Sequence, residues 1–455
     1  MSYEKWSAGY WLLKQYIKLI DWMIHKRIII KGRKNIPGNK PIIFAPNHQN
    51  ALSDPLAVLL NIHQQPVWLA RADIFGKSKV IDSILRFLKI MPVFRIRDGI
   101  GNLDKNEKTF AASVNVLKNN APLALFPEAA HTGRRQIISH KKAVPRIAFM
   151  AEEATNGELD IHIIPTGIYY SHYWKFDRTL IVNFGKPIRV QNFMSQHQTD
   201  PQGAIRKLKD SIYAATLPLI LNFKTTNYYT VFEHIRQMYG PHFLKNIGKK
   251  QTTYDQYLSD RELATRLDQL EKTDPEVTKE IVAKADHYYS TLKKEKIKTF
   301  ILQDHHHKLN LAREIIKLLI TFPIFIYGTL FNAVPFFLID RIVRKYIKDR
   351  TFWSSVTLVA AIIIFPVFYL IELLLTSSVL PGFWLKATFI VSLILTGKIA
   401  FRWYIWLRKT MGRIRLLKIK WFRPGLYKDL LQQKDQLFSQ LDLVLKETTP
   451  PKEQA

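Results

Sequence analysis

Short apolar runs alternate with helical stretches between residues 27 and 190. The runs at 28–30, 41–45, 123–126, 161–166 and 180–184 have the length of strands. Segments 55–60, 80–89, 105–119 and 142–154 have helical spacing and lie between or beside them. That alternation predicts an α/β domain over residues 30–199. From 200 to 310 strand signals vanish, and charged helical stretches such as 260–271 and 275–298 predict a soluble helical insert. Within residues 1–29, Lys14, Lys18, Asp21 and His25 recur at spacings of four, three and four, which gathers them on one helical stripe. The rest of that helix, including Trp6, Trp11, Leu12, Leu19 and Trp22, is apolar. It suits an amphipathic helix in a lipid interface or one packed on a domain.

Three further segments are apolar enough for a bilayer: 315–339, 356–375 and 383–401. The first is interrupted by Pro323, Gly328, Asn332 and Pro335. Arg341, Arg344, Lys345, Lys348 and Arg350 follow it, and Arg402, Arg408, Lys409, Arg413 and Arg415 follow the third. The uncharged TSSVLPG joins the second to the third. Cytoplasmic loops carry the excess of Lys and Arg, so both basic pieces belong on one side and TSSVLPG on the other. Three full crossings would violate this. The expectation is a re-entrant or interfacial pair of half-helices over 311–340, a transmembrane hairpin over 352–403 and a basic cytoplasmic tail over 404–455.

Charge and composition narrow the picture. With 67 Lys and Arg against 37 Asp and Glu, the formal charge of +30 calls for a polyanionic partner. Because the basic residues crowd at the ends of apolar segments, the expected partner is an anionic membrane surface and not nucleic acid. The absence of cysteine excludes disulfides, thiolate metal sites and a cysteine nucleophile. The N-terminal stretch has charges throughout and no small-residue cleavage site, so it does not read as a signal peptide. The catalytic region is therefore expected on the cytoplasmic face of a membrane, a bacterial inner membrane being the expected one.

Candidate chemistry concentrates in PIIFAPNHQNALSDPLAV, residues 41–58, where a strand ends and Asn47, His48 and Asp54 arrive before a helix opened by Pro55. Acyl transfer to an alcohol needs a base poised near neutral pH and a carboxylate that orients it. His48 and Asp54 are of the right types; equally, Asp54 could cap the helix and His48 be a satisfied polar group. In MPVFRIR, Arg95 and Arg97 are two apart, so on an extended chain both face one way and could grip a phosphate. LALFPE ends a strand in Glu128, and IHIIPTGI gives another strand followed by Pro165. Glu128 and His131 also have the Glu-x-x-His spacing of di-metal helices, but Pro127 and the preceding strand argue against a helix there. The His305, His306, His307 run reads as a solvated patch.

Taken in order, NHQNALSD at 47–54, FRIR at 94–97, FPEAAHTGRR at 126–135 and IIPTGI at 163–168 resemble the four motifs of the phospholipid and glycerol acyltransferase family, over roughly residues 30–190. The resemblance implies a mixed sheet flanked by helices. It also implies acyl transfer to glycerol 3-phosphate or lysophosphatidic acid, with His48 as general base, Asp54 orienting it and the substrate hydroxyl attacking the thioester directly. One of Arg95 and Arg97 would bind the phosphate, and Asn47, Glu128 and Arg134 would contact substrate. The donor would be acyl-CoA or acyl carrier protein, with no bound cofactor and no metal. Two departures stand out. Five residues separate His48 from Asp54 where the family has four, so the stretch must be a loop. Ala129, Ala130 and His131 stand where the family has Gly-Thr followed by an Arg, a charge that Arg134 or Arg135 would replace.

Overall fold

The structure, a computed structural model, describes residues 3–94, 104–303 and 307–447. These divide into two units, one of residues 1–220 with 341–362 and one of residues 221–340 with 363–455.

The first unit is a mixed sheet flanked by helices. Its strands are β1 (His25–Lys31), β2 (Ile42–Pro46), β3 (Val67–Arg71), β4 (Ile90–Val93), β5 (Leu123–Ala124), β6 (His162–Tyr170), β7 (Arg178–Phe184) and β8 (Ile188–Arg189), in the order β1-β7-β6-β2-β5-β3-β4 with β8 on β6. The pairs β1/β7, β6/β2, β2/β5, β5/β3 and β3/β4 are parallel; β6 meets β7 and β8 antiparallel. Its helices are α1 (Ala8–Ile24), α2 (Ser53–Leu59), α3 (Lys79–Phe87), α4 (Asp104–Lys118), α5 (Ala143–Glu153), α6 (Met194–Thr199) and α7 (Pro201–Thr216).

Successive residues of β2 face opposite ways. Ile43 and Ala45 join the core made with Val114, Leu117, Ile147, Leu208 and Ile212, while Ile42 and Phe44 join the one made with Ala57, Val58, Leu180 and Val182. Both faces are covered, which is why the central strands are continuously apolar in sequence. Strands β3 and β4 escape a periodicity search because they are short and carry Trp68, Arg71 and Pro92. Two predicted boundaries move. His25 and its followers enter the sheet, and α7 belongs to the first unit because Ala204, Ile205, Leu208 and Ile212 complete its core.

Helix α1 is inside out. Ser7 caps it by accepting from the Tyr10 N–H. Lys14, Asp21 and His25 of the polar stripe are buried, with Lys14 Nζ donating to the Ile62 carbonyl at 2.8 Å. Trp6 and Leu12 are 67% and 62% exposed, so the apolar side faces away from the domain, as an interfacial helix requires.

The second unit holds α8 (Tyr229–Asn246), α9 (Thr253–Thr273), α10 (Pro275–Lys294), α11 (His307–Ile320), α14 (Phe383–Phe422) and α15 (Pro424–Glu447). Helices α12 (Phe322–Tyr346) and α13 (Trp353–Thr376) have one end in each unit. Asp274 caps α10, whose first residue is Pro275, a favoured opening. Helices α12, α13 and α14 are long and apolar enough to cross a membrane by length and composition.

Two findings differ from the sequence reading. The apolar segment at 311–340 breaks once, at Thr321, and α12 then continues through Gly328, Asn332 and Pro335 without interruption. Asn332 helps hold it, donating to the carbonyls of Gly328 and Leu393 and accepting from Tyr369. Over 404–447 the basic segment is helical: α14 runs on to Phe422, and α15 packs with α8–α10, where Asp442 accepts from Tyr239 and pairs with His242.

Candidate active site

The site lies at the carboxyl ends of β2, β3 and β5, where ligands of open α/β sheets collect. Beyond β2 the chain turns through 47–52 before α2. Ala51 adopts a left-handed conformation (φ 39°), which absorbs the fifth residue between His48 and Asp54. Asp54 is fully buried in the first turn of α2. Its Oδ2 accepts from His48 Nδ1 at 2.9 Å and from the backbone N–H groups of Gln49 and Asn50, both at 2.6 Å. The N-cap of α2 is Leu52, so Asp54 orients the imidazole and does not cap the helix.

Phe126 stacks on His48, with ring centroids 4.0 Å apart and planes 17° apart. Trp68 backs Phe126 in turn. The ring is thus held by one hydrogen bond and one aromatic face, and Nε2 is left for a proton. Glu128 is buried, its Oε1 accepting from the His48 N–H at 2.7 Å and its Oε2 from the Ile138 N–H at 2.9 Å. Burial pushes its carboxyl up to about 8, although both backbone donors pull it down.

The other predicted residues fare differently. Asn47 is buried, donating to the Ile168 carbonyl and accepting from the Ile168 N–H, so its side chain bridges to β6. Glu128 accepts one backbone N–H on each oxygen. Arg135 is buried, donating to the Tyr170 carbonyl at 2.8 Å, with Tyr169 and Tyr173 against its guanidinium. Arg134 is the exposed one of the two. Arg95 and Arg97 lie outside the described residues, as do His305 and His306.

Three neighbours were given no part in the site from the sequence. His131 meets the His48 ring edge-on with centroids 5.0 Å apart. Phe352, from the connector between α12 and α13, meets His131 edge-on at 5.3 Å. Arg71, at the end of β3, is close enough to depress the His131 pKa. Only Arg71 left a local signal, as the charge ending an apolar run.

The sequence profile of the Acyltransferase family matches residues 27–169. Residues 27–169 thus match an acyltransferase domain. The match runs from within β1 to nearly the end of β6 and so contains β2, α2, β3 and β5, with His48, Asp54, Phe126, Glu128 and His131. Among curated proteins the acyltransferase domain brings similarity to glycerol-3-phosphate O-acyltransferase 2 of Saccharomyces cerevisiae, 23% identical over 221 residues, covering 47% of this chain and 28% of the yeast protein. Glycerol-3-phosphate O-acyltransferase 1 of the same yeast is 22% identical over 260 residues, covering 53% and 32%. The chain thus spans about a third or less of the length of these relatives. Among solved structures, the 1-acyl-sn-glycerophosphate (LPA) acyltransferase PlsC from Thermotoga maritima is 17% identical, with TM-score 0.34, over 46% of this chain and 78% of that one.

Proposed function

We propose that this chain transfers a fatty acyl group from acyl-CoA or acyl carrier protein to a hydroxyl of glycerol 3-phosphate or lysophosphatidic acid. The observation that carries the reading is the 2.9 Å contact of His48 Nδ1 with Asp54 Oδ2, at the carboxyl ends of the sheet strands. A carboxylate on Nδ1 holds the proton there and presents Nε2 as the base. Nε2 takes the hydroxyl proton as the oxygen attacks the thioester carbonyl. The tetrahedral intermediate then collapses, the C–S bond breaks, and the proton passes from His48 to the departing thiolate. No acyl-enzyme forms and no metal takes part.

A phosphate-bearing acceptor agrees with the names of the yeast relatives and with Arg134. Arg134 is exposed on the loop beyond Glu128, and β4 ends at Val93, two residues before Arg95. We assign the phosphate to Arg95 or Arg97 together with Arg134, whose delocalised charge suits it. The test is acyl transfer by purified protein from labelled acyl-CoA and acyl carrier protein to each acceptor, with wild type and His48→Ala. Loss of the base should lower the rate on the order of 10²-fold or more. Equal rates would end the general-base mechanism.

A further inference from the structure

We propose that His131 is a second catalytic imidazole, which donates a hydrogen bond to the thioester carbonyl oxygen as it becomes the tetrahedral oxyanion. The inference rests on the acyl-transfer reading above and adds a residue that the resemblance does not supply, since an Arg stands at this position in the family.

Three observations carry it. His131 is edge-on to the base, with ring centroids 5.0 Å apart, so a group bound against His48 also lies beside His131. Its Nδ1 is buried and has no hydrogen-bond partner. An unpaired buried polar atom is costly and calls for an explanation, which a substrate oxygen supplies. Finally, the ring is held in place. Phe352 packs edge-on at 5.3 Å, and the connector carrying Phe352 is fastened to the base's loop by Ser355, which accepts from the Leu52 N–H at 2.9 Å, and by Ser354 against Ser53 at 3.0 Å.

The charges around the ring favour its neutral form. Burial, His48 and Arg71 lower its pKa, against Asp54 and Asp349, which raise it. A neutral imidazole keeps an N–H to donate and does not add a second cation when His48 accepts the hydroxyl proton. In the reaction, His131 thus transfers no proton; its N–H stays in place while negative charge grows on the carbonyl oxygen and then returns to form the product ester. Preorganised donors of this kind are among the larger contributions to acyl transfer.

The experiment compares wild type, His131→Ala, His131→Gln and His48→Ala in acyl transfer from acyl-CoA, with thermal unfolding of each in detergent. His131→Ala should lower kcat on the order of 10²-fold with little change in acceptor KM. His131→Gln keeps an amide donor and should recover most of that loss. If His131→Ala keeps kcat within twofold while His48→Ala is inactive, the oxyanion role is overturned and the general-base reading stands. If neither matters, the functional reading itself fails. If both His131 variants lose activity in parallel with stability, the residue is structural and the proposal falls.

Discussion

The backbone N–H of His48 donates to Glu128 Oε1 at 2.7 Å, tying the loop that presents the base to the loop that follows β5. Glu128 holds Ile138 with its other oxygen, so a single buried carboxyl fastens three points of the site.

Glu128 makes stability depend on pH in a definite direction. Its folded pKa, about 8, lies above the ordinary 4.5, so the folded state holds the proton more tightly than the unfolded chain does. The contribution is fully present below about 4.5 and is lost as pH rises through about 8. Thermal unfolding in detergent at steps from pH 5 to 8 should show a decline approaching one proton in slope. Glu128→Gln, which has no proton to lose, should flatten that component. The same slope in both proteins would count against a proton held on Glu128.

Ala129 has a left-handed backbone (φ 56°) and an exposed side chain, at a position where the family resemblance expects glycine. A left-handed non-glycine residue costs roughly 1–2 kcal/mol. Glycine would return about 0.4–1 kcal/mol of that through greater freedom of the unfolded chain. Ala129→Gly should therefore stabilise by roughly 0.5–1 kcal/mol with activity retained. An unfolding midpoint unchanged or lowered would show that the conformation carries no such strain.

The membrane arrangement is open to direct test. Helix α11 runs beside the second half of α14: Trp403 Nε1 donates to the Leu318 carbonyl at 3.1 Å, and Glu314 pairs with Arg413 and accepts from Thr410. The chain leaves for the membrane and returns from it on one side, which requires an even number of crossings among three apolar helices. From the basic pieces at 341–350 and 402–415 and the uncharged TSSVLPG between α13 and α14, we propose that α13 and α14 cross as a hairpin with both basic pieces on the cytoplasmic face. The chain has no cysteine, so single substitutions can be labelled without background. An impermeant maleimide should label Ser378→Cys in cells and spare Lys348→Cys until the membrane is opened. Labelling at Lys348→Cys from outside would overturn the arrangement.

What could be read from the chain alone was what is local or periodic. The apolar strands around 41–45, 161–166 and 180–184 are legible because burial on both faces leaves no polar position, and the membrane helices because hydrocarbon tolerates few charges. His48 and Asp54 could be suspected as partners because only five residues separate them.

Tertiary structure decided what depends on strands that meet far along the chain. Parallel pairing of β2 with β5, Phe44 beside Ala124, brings Phe126, Glu128 and His131 to His48. Pairing of β2 with β6 turns Asn47 into a clamp. Phe352, some three hundred residues beyond the base, reaches the site through the folding of a membrane connector. A residue's type and its near neighbours set which bonds it can make; only the register and packing of distant segments determine which of those bonds are already occupied when substrate arrives.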